Sequence, residues 1–285
     1  MNNYLDIKVA KRAGFCFGVK RAVEMAFNCA NERSIVYSLG PIIHNPQVVE
    51  KLMSHGVYPI DEIDINKLKE GDTIIIRTHG ISLKIFKELE KKKLNIIDAT
   101  CPFVKKAQEY ASLLREKGYQ VMIVGDKDHP EVKGLMSYAG ENAVLVKSEK
   151  IKVKLTKKVG IVVQTTQTKD LLKQIVNKTL DNAKELVIYN TICDSTYLRL
   201  KETVSLANRV DKMFVVGGKN SANTTQLTKL CISKKIPTYH IETSKEINKN
   251  WLKNIKSVGI TAGASTPDWI IDEVKNCIKD IGGKV

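Results

Sequence analysis

Two kinds of segment alternate along the chain. Short unbroken apolar runs, such as Thr73-Ile74-Ile75-Ile76, Val121-Met122-Ile123-Val124 and Met213-Phe214-Val215-Val216, are bounded by polar or glycine-containing turns. Runs of this kind read as strands buried on both faces of a small parallel sheet. Strongly helical stretches lie between them, and three of these, at 17–26, 102–110 and 194–202, are each opened by a cysteine: Cys16, Cys101 and Cys193. Each helix leads to an apolar strand that ends in glycine, and the intervals Cys16 to Gly40, Cys101 to Gly125 and Cys193 to Gly217 are all 24 residues. A repeated interval of this kind marks an internal repeat.

The likeness continues beyond the glycine. Four residues on stand His44, His129 and Ser221, each in a polar loop that opens a second helical segment. A second strand follows in each copy and ends in a polar turn bearing His79, Thr165 and Ser265, at 39, 40 and 48 residues past the shared glycine. The third copy therefore carries an insertion. The pattern predicts an α/β fold of three similar lobes with small parallel sheets, at 1–98, 99–190 and 191–285, replacing the two domains that 285 residues would suggest. Ligands of parallel sheets gather at the carboxyl ends of strands, where helix N-termini also point. All the polar residues named lie at such ends, so a pseudo-threefold, trefoil-like arrangement converging on one centre is expected. Three lobes strung in a row with separate sites is the alternative.

A cysteine at a helix N-terminus faces unsatisfied N–H groups and the positive end of the dipole, which favours its thiolate. Pro102, directly after Cys101, suits the first helical position. Three thiolates from three lobes can hold one metal centre. A structural zinc site asks for a fourth protein ligand and close local spacing. A 4Fe–4S cluster on three cysteines leaves one iron open to act as a Lewis acid. Spacing alone leaves both readings open. Cys29, Cys231 and Cys277 do not repeat between lobes and are expected to pack in the interior.

His44, His79 and His129 are three of five histidines, and with Ser221, Asn223, Ser265 and Thr165 they supply the donors that a buried phosphate or diphosphate requires. His55 and His240 have no equivalents and read as structural. Glu131, two residues after His129, is the one carboxylate at that place in the repeat. It reads either as a proton donor beside the centre or as an acidic residue in the first turn of a helix.

Composition adds two things. No run approaches ~18 apolar residues and the N-terminus lacks the basic and apolar parts of a signal peptide, so a cytoplasmic protein with reduced cysteines and no membrane partner is expected. The net charge is +15, from 46 basic and 31 acidic residues, which favours anionic partners. Aromatic residues make up only 6% and no aromatic–basic ribbon is present, so no nucleic-acid partner is expected.

The motifs taken together are distinctive. Ala13-Gly14-Phe15-Cys16-Phe17-Gly18-Val19, His44-Asn45-Pro46, Arg77-Thr78-His79-Gly80 and Asp98-Ala99-Thr100-Cys101-Pro102 are followed by Gly125-Asp126-Lys127-Asp128-His129-Pro130-Glu131-Val132 and Gln164-Thr165-Thr166. Gly217-Gly218-Lys219-Asn220-Ser221-Ala222-Asn223 and Thr261-Ala262-Gly263-Ala264-Ser265-Thr266-Pro267-Asp268 complete the set. From Gly14 to Asp268 the chain resembles the 4-hydroxy-3-methylbut-2-enyl diphosphate reductase family, of the LytB/IspH type. The resemblance implies a reductase that removes the hydroxyl of an allylic diphosphate to give isopentenyl and dimethylallyl diphosphate, the last step of the methylerythritol phosphate route. It implies that Cys16, Cys101 and Cys193 ligate a central 4Fe–4S cluster with one open iron, and that Glu131 supplies protons with Thr165 and His129. The substrate-binding set becomes His44, His79, His129, Thr165, Ser221, Ala222, Asn223 and Ser265, with a ferredoxin or flavodoxin as electron donor and a monomer or weak dimer as the state. Ala222 stands where the family often has a second serine, so one hydroxyl contact is replaced at best by a backbone N–H. The chain ends soon after the reductase core, with no appended RNA-binding domain expected.

Two other activities fit parts of the sequence. A zinc-dependent hydrolase of a phosphorylated metabolite would use the same cysteines, and a redox-sensing nucleic-acid binder would use a cluster together with the positive charge.

Overall fold

The structure is a computed structural model that describes residues 5–33 and 35–282, with Ala222 described in its backbone only. The start of the N-terminus, Met1 to Tyr4, on which the expected lack of a signal peptide partly rests, lies outside the described residues.

The chain opens with strand β1 (Asp6–Val9) and helix α1 (Phe17–Glu32), then β2 (Val36–Leu39), α2 (Pro46–Ser54), β3 (Val57–Ile60), β4 (Thr73–Ile76), α3 (Leu83–Lys91) and β5 (Asn95–Asp98). The middle stretch holds α4 (Pro102–Glu116), β6 (Gln120–Val124), α5 (Pro130–Ala139), β7 (Val144–Val146), β8 (Lys158–Val163), α6 (Lys169–Leu180) and β9 (Glu185–Tyr189). The last holds α7 (Asp194–Ala207), β10 (Lys212–Val216), α8 (Ala222–Ser233), β11 (Thr238–Ile241), β12 (Ser257–Ala262) and α9 (Asp268–Gly282).

The strands form three four-stranded sheets, ordered β3-β2-β4-β5, β7-β6-β8-β9 and β11-β10-β12-β1, and every pairing is parallel. The expected α/β class with three small parallel sheets is the observed one. The inner strands are the apolar runs of the sequence: β4 is buried at all four positions, and β10 and β12 at every position after the first. The edge strands β1, β5 and β9 keep polar or half-exposed positions, which suits a strand paired on one side only. The inner strands end in register, with Leu39 opposite Ile76, Val124 opposite Val163, and Val216 opposite Ala262. The polar turns that follow in each sheet thus start level with one another. This is why the repeat survives the insertion in the third copy, whose extra residues form short 3-10 turns at Ser244–Glu246 and Lys249–Leu252 before β12.

One strand escapes the repeat as the sequence presents it. β1 pairs with β12, placing Ile7 opposite Val258. The third sheet therefore takes its edge strand from the N-terminus, where the other two take theirs, β5 and β9, from the residues just before Cys101 and Cys193. Each cysteine accordingly follows the edge strand of one sheet and opens a long helix.

The chain divides into two compact units, one of Met1–Lys20, Ile43–Lys51 and Asp194–Val285, the other of Arg21–Ile42 and Leu52–Cys193. These boundaries differ from the divisions at 98 and 190 expected from the repeat. The reasons are the β1–β12 pairing and the segment around His44, which joins the unit containing β10 and β12. The first unit is built on Phe214, Val216, Val258 and Ile260 against Ile270, Val274 and Ile278 of α9. The second unit has a core under each of its sheets, including Ile74 and Ile76 with Leu89, and Val121 and Ile123 with Ala107 and Leu114 of α4. Among the described residues no helix is long and apolar enough to cross a membrane.

Candidate functional site

In the second unit, the turns after β4, β6 and β8 bring Glu131, Thr165, His129 and His79 together. Glu131 lies in the first turn of α5 and is 1% exposed. The backbone N–H of Thr165 donates to its Oε1 at 2.7 Å, and the Thr165 hydroxyl donates to its Oε2 at 2.8 Å. Both bonds favour the carboxylate, but burial outweighs them and pushes the carboxyl up to about 7. A first-turn acid in contact with solvent would have no such environment. Glu131 is thus an acidic residue in the first turn of a helix, buried rather than open to solvent.

His129 caps α5. Its Nδ1 accepts the Glu131 N–H at 3.2 Å, and Pro130 fills the first helical position, where no N–H is needed. With Nδ1 committed as acceptor, the ring proton is carried by Nε2. The His79 ring meets that of His129 edge to face, centroids 5.4 Å apart. The backbone joins two cysteines to this group: the Cys193 N–H donates to the Thr165 carbonyl at 2.9 Å, and the Cys101 N–H to the carbonyl of Thr78, next to His79, at 3.0 Å. Cys101 is itself the N-cap residue of α4, with Pro102 at the first position.

The first unit gathers the other predicted residues. Ser221 caps α8, its Oγ accepting the Thr224 N–H at 3.4 Å. Asn223 Oδ1 accepts the Ala264 N–H at 3.2 Å, which leaves its amide N–H groups to serve as donors. The Ala264 carbonyl accepts the Cys16 N–H at 3.3 Å, so one residue, Ala264, links Asn223 to the first cysteine. The Ser265 hydroxyl donates to the His44 carbonyl at 3.5 Å. Gly217, with φ 137°, and Gly263 let these strands and α8 approach: a Cβ on Gly263 would stand 2.0 Å from the Thr224 hydroxyl. Ser221, Asn223 and Ser265 are buried and neutral. Ala222 opens α8, and its side chain lies outside the described residues.

Position in the repeat and position in space part company at His44. His129 and Ser221 cap their helices, but in the first copy the cap is Asn45, whose Oδ1 accepts the Val48 N–H at 3.1 Å. His44 thus stands one residue before the cap. Its segment, Ile43–Lys51, belongs to the unit that carries Ser221 and Ser265.

The remaining cysteines and histidines separate from both groups. Cys29 and Cys231 are in the interior, and burial raises both thiols, that of Cys231 to about 11. Cys277 is half-buried on α9 with its thiol toward the Ser244 carbonyl at 3.8 Å. By contrast Cys16, Cys101 and Cys193 are all partly exposed at the starts of α1, α4 and α7. His55 packs edge to face on Phe27, and the His240 ring lies 2.9 Å from the Gly217 carbonyl. Cys16 belongs to the first unit and Cys101 and Cys193 to the second. Among the described residues, no three His, Cys, Asp or Glu side chains within either unit form a metal-holding group.

Three residues outside the sequence-based set touch these groups. Arg21 on α1 donates to the carbonyls of Thr100 at 3.2 Å and Asp98 at 3.4 Å. Arg199 on α7 donates to the carbonyls of Arg12 and, at 3.0 Å, Ala262. Glu202, one turn on from Arg199, accepts the N–H of Lys11 at 2.7 Å and of Arg12 at 2.9 Å. Their side chains act on backbone groups far away in sequence, for which no local pattern exists.

Comparison with known proteins places the chain. The model of the LytB protein family matches residues 7–279. A protein of Pelobacter propionicus named 4-hydroxy-3-methylbut-2-enyl diphosphate reductase is 50% identical over 282 residues, covering 98% of this chain and 100% of its own. A protein of the same name from Geobacter metallireducens is 50% identical over 279 residues, covering 97% and 98%. A solved (E)-4-hydroxy-3-methyl-but-2-enyl diphosphate reductase, described as the terminal enzyme of the non-mevalonate pathway, is 45% identical with a TM-score of 0.76, covering 97% of this chain and 99% of that one. The structure of the E-1-hydroxy-2-methyl-but-2-enyl-4-diphosphate reductase from Plasmodium falciparum is 30% identical with a TM-score of 0.87, covering 96% and 87%. With the family model matching over most of its length and relatives at half identity end to end, the chain belongs to the LytB protein family.

Proposed function

We propose that this chain reduces 4-hydroxy-3-methylbut-2-enyl diphosphate to isopentenyl and dimethylallyl diphosphate, the terminal reaction of the non-mevalonate route to isoprenoids. The overall change replaces an allylic C–OH bond by C–H. It consumes two electrons and two protons and releases water.

Cys16, Cys101 and Cys193 suit a 4Fe–4S cluster: three thiols, each partly exposed at the start of a helix, in contrast to the interior thiols of Cys29 and Cys231. When bound, the cluster would supply the electrons and, at the iron without a cysteine, Lewis acidity toward the departing hydroxyl. The electrons would come from a ferredoxin or flavodoxin.

The observation that carries the reading is Glu131. A carboxyl 1% exposed and pushed up to about 7 is protonated over the physiological range's lower half, yet is doubly bonded to Thr165. When Glu131 is protonated at Oε2 the bond reverses, with Oε2 donating to the Thr165 Oγ, and Thr165 can pass its own hydroxyl proton to the leaving oxygen as it takes up that of Glu131. A proton donor beside the tether of Cys193 is what loss of hydroxide demands. Nε2 of His129 and the ring of His79 add donors on the same side.

The diphosphate falls to His44, Ser221, Asn223 and Ser265, together with the backbone N–H of Ala222. Neutral hydroxyl and amide donors at the N-terminus of α8 hold an anion without releasing protons into the reaction. A diphosphate fixed there anchors the substrate away from its reacting carbon.

The test is anaerobic reconstitution with iron and sulfide, followed by reduction of the allylic diphosphate with dithionite and a viologen. A brown protein that forms both products supports the reading. A colourless zinc protein, or a loaded one that leaves the substrate intact, overturns it.

A further inference from the structure

We propose that Arg199, Glu202 and Arg21 are positioning residues that set the cysteine loops from helices belonging to other cysteines. The inference rests on the reading of Cys16 and Cys101 as cluster ligands.

Arg199 and Glu202 are three residues apart on α7, the helix opened by Cys193. They hold the two peptide groups that flank one residue: the Glu202 carboxylate accepts the Arg12 N–H at 2.9 Å, and the Arg199 guanidinium donates to the Arg12 carbonyl. The same Nη1 donates to the Ala262 carbonyl at 3.0 Å. Arg12 lies four residues before Cys16, and Ala262 two before Ala264, whose carbonyl accepts the Cys16 N–H. Arg199 therefore clamps together the two segments whose meeting point fixes the Cys16 backbone. Arg199 is 3% exposed, so these charge-assisted bonds are sheltered from competition by water.

Arg21 repeats the device one step along. It lies on α1, the helix opened by Cys16, and donates to the carbonyls of Asp98 and Thr100, the latter directly before Cys101. The Cys193 helix thus holds the Cys16 loop, and the Cys16 helix holds the Cys101 loop. Before any cluster is present, this brings the thiols to their positions from rigid elements rather than by loop preference.

The test uses the full-length apoprotein with Glu202→Ala, Arg199→Met and Arg21→Met. Each cysteine's rate of alkylation by iodoacetamide is mapped by mass spectrometry, and amide exchange of the 10–16 segment is followed alongside. Glu202→Ala and Arg199→Met are expected to raise Cys16 alkylation at least fivefold and speed exchange at Lys11 and Arg12, leaving Cys101 and buried Cys29 at parental rates. Arg21→Met is expected to raise Cys101 alone. After reconstitution, each variant should hold less than half the parental iron per chain, with an altered visible spectrum. Parental alkylation and exchange in all three variants, or a uniform rise at every cysteine, overturns the proposal. Should loss of the buried Arg199 prevent folding, the half-exposed Glu202 carries the same test. If the parent itself binds no iron, the ligand reading fails, while the crossed alkylation pattern still decides the clamps.

Discussion

The polar groups of the two units differ in chemistry on similar scaffolding. In the second unit, the strand ends hold a titratable pair of chemistries, a carboxyl and imidazoles, and bury the carboxyl until it keeps its proton. In the first, the equivalent strand ends present Ser221, Asn223 and Ser265, none of which titrates near neutral pH. The caps show the same division: His129 caps α5 through a ring nitrogen, and Ser221 caps α8 through a hydroxyl. A repeated βα frame supplies a helix N-terminus and an in-register strand end each time, and the residue placed there decides whether that end carries a titratable or a neutral group.

Loss of a proposed cluster ligand should have the largest effect. Cys101→Ser is expected to abolish both the brown colour and all reductase activity, as read by iron analysis and product formation; an active, fully loaded variant would refute the ligand assignment. Next comes the proton-moving side alone. Glu131→Gln should lower kcat by roughly 10²–10⁴-fold, the usual range for loss of a general acid, with KM near the parental value. Steady-state kinetics with a fixed reductant decides this, and near-normal turnover removes Glu131 from the proton path.

The same carboxyl gives a pH signature. Because its proton is held more tightly in the folded state, at about 7 against the usual 4.5, its contribution to stability is complete below pH 4.5 and is lost as pH rises through about 7. kcat should fall on the alkaline side of about 7, whereas thermal stability should decline as pH rises from about 4.5 to about 7 and level off above it. Glu131→Gln should show no such decline in Tm, and an unchanged pH dependence in that variant would assign the titration elsewhere.

The anion-holding side should respond in KM. Asn223→Ala removes a donor to a charged ligand, a loss of about 1.5–3 kcal/mol or roughly 10–160-fold in KM, with a smaller effect on kcat. The smallest effect tests the departure at Ala222. Ala222→Ser is expected to tighten substrate binding by roughly twofold to tenfold, the worth of one ordinary hydrogen bond, measurable by calorimetry with the diphosphate. Weaker binding would show that the backbone alone serves at this position.

Much of this was legible in the chain. The 24-residue intervals marked three cysteines out of six, and burial later set Cys29 and Cys231 apart as interior thiols. The apolar runs became inner strands because strands covered on both faces leave no polar positions. His44 was found by its offset from Gly40, yet the offset hid that Asn45 is the cap, since a one-residue shift in a loop does not disturb the spacing of strands around it.

By itself the sequence determined the elements, the repeat, the helix-opening cysteines and the chemistry at each strand end, because these depend on residues close together in the chain. Only the tertiary structure decided that β1 completes the last sheet, that Glu131 meets Thr165, and that Arg199, Glu202 and Arg21 hold the cysteine loops. Parallel pairing over some 250 residues leaves no local signal, and neither does a side chain bonded to a distant carbonyl. The raised carboxyl of Glu131 has the same origin: burial is a property of what folds around a residue, not of the residue's neighbours in the chain.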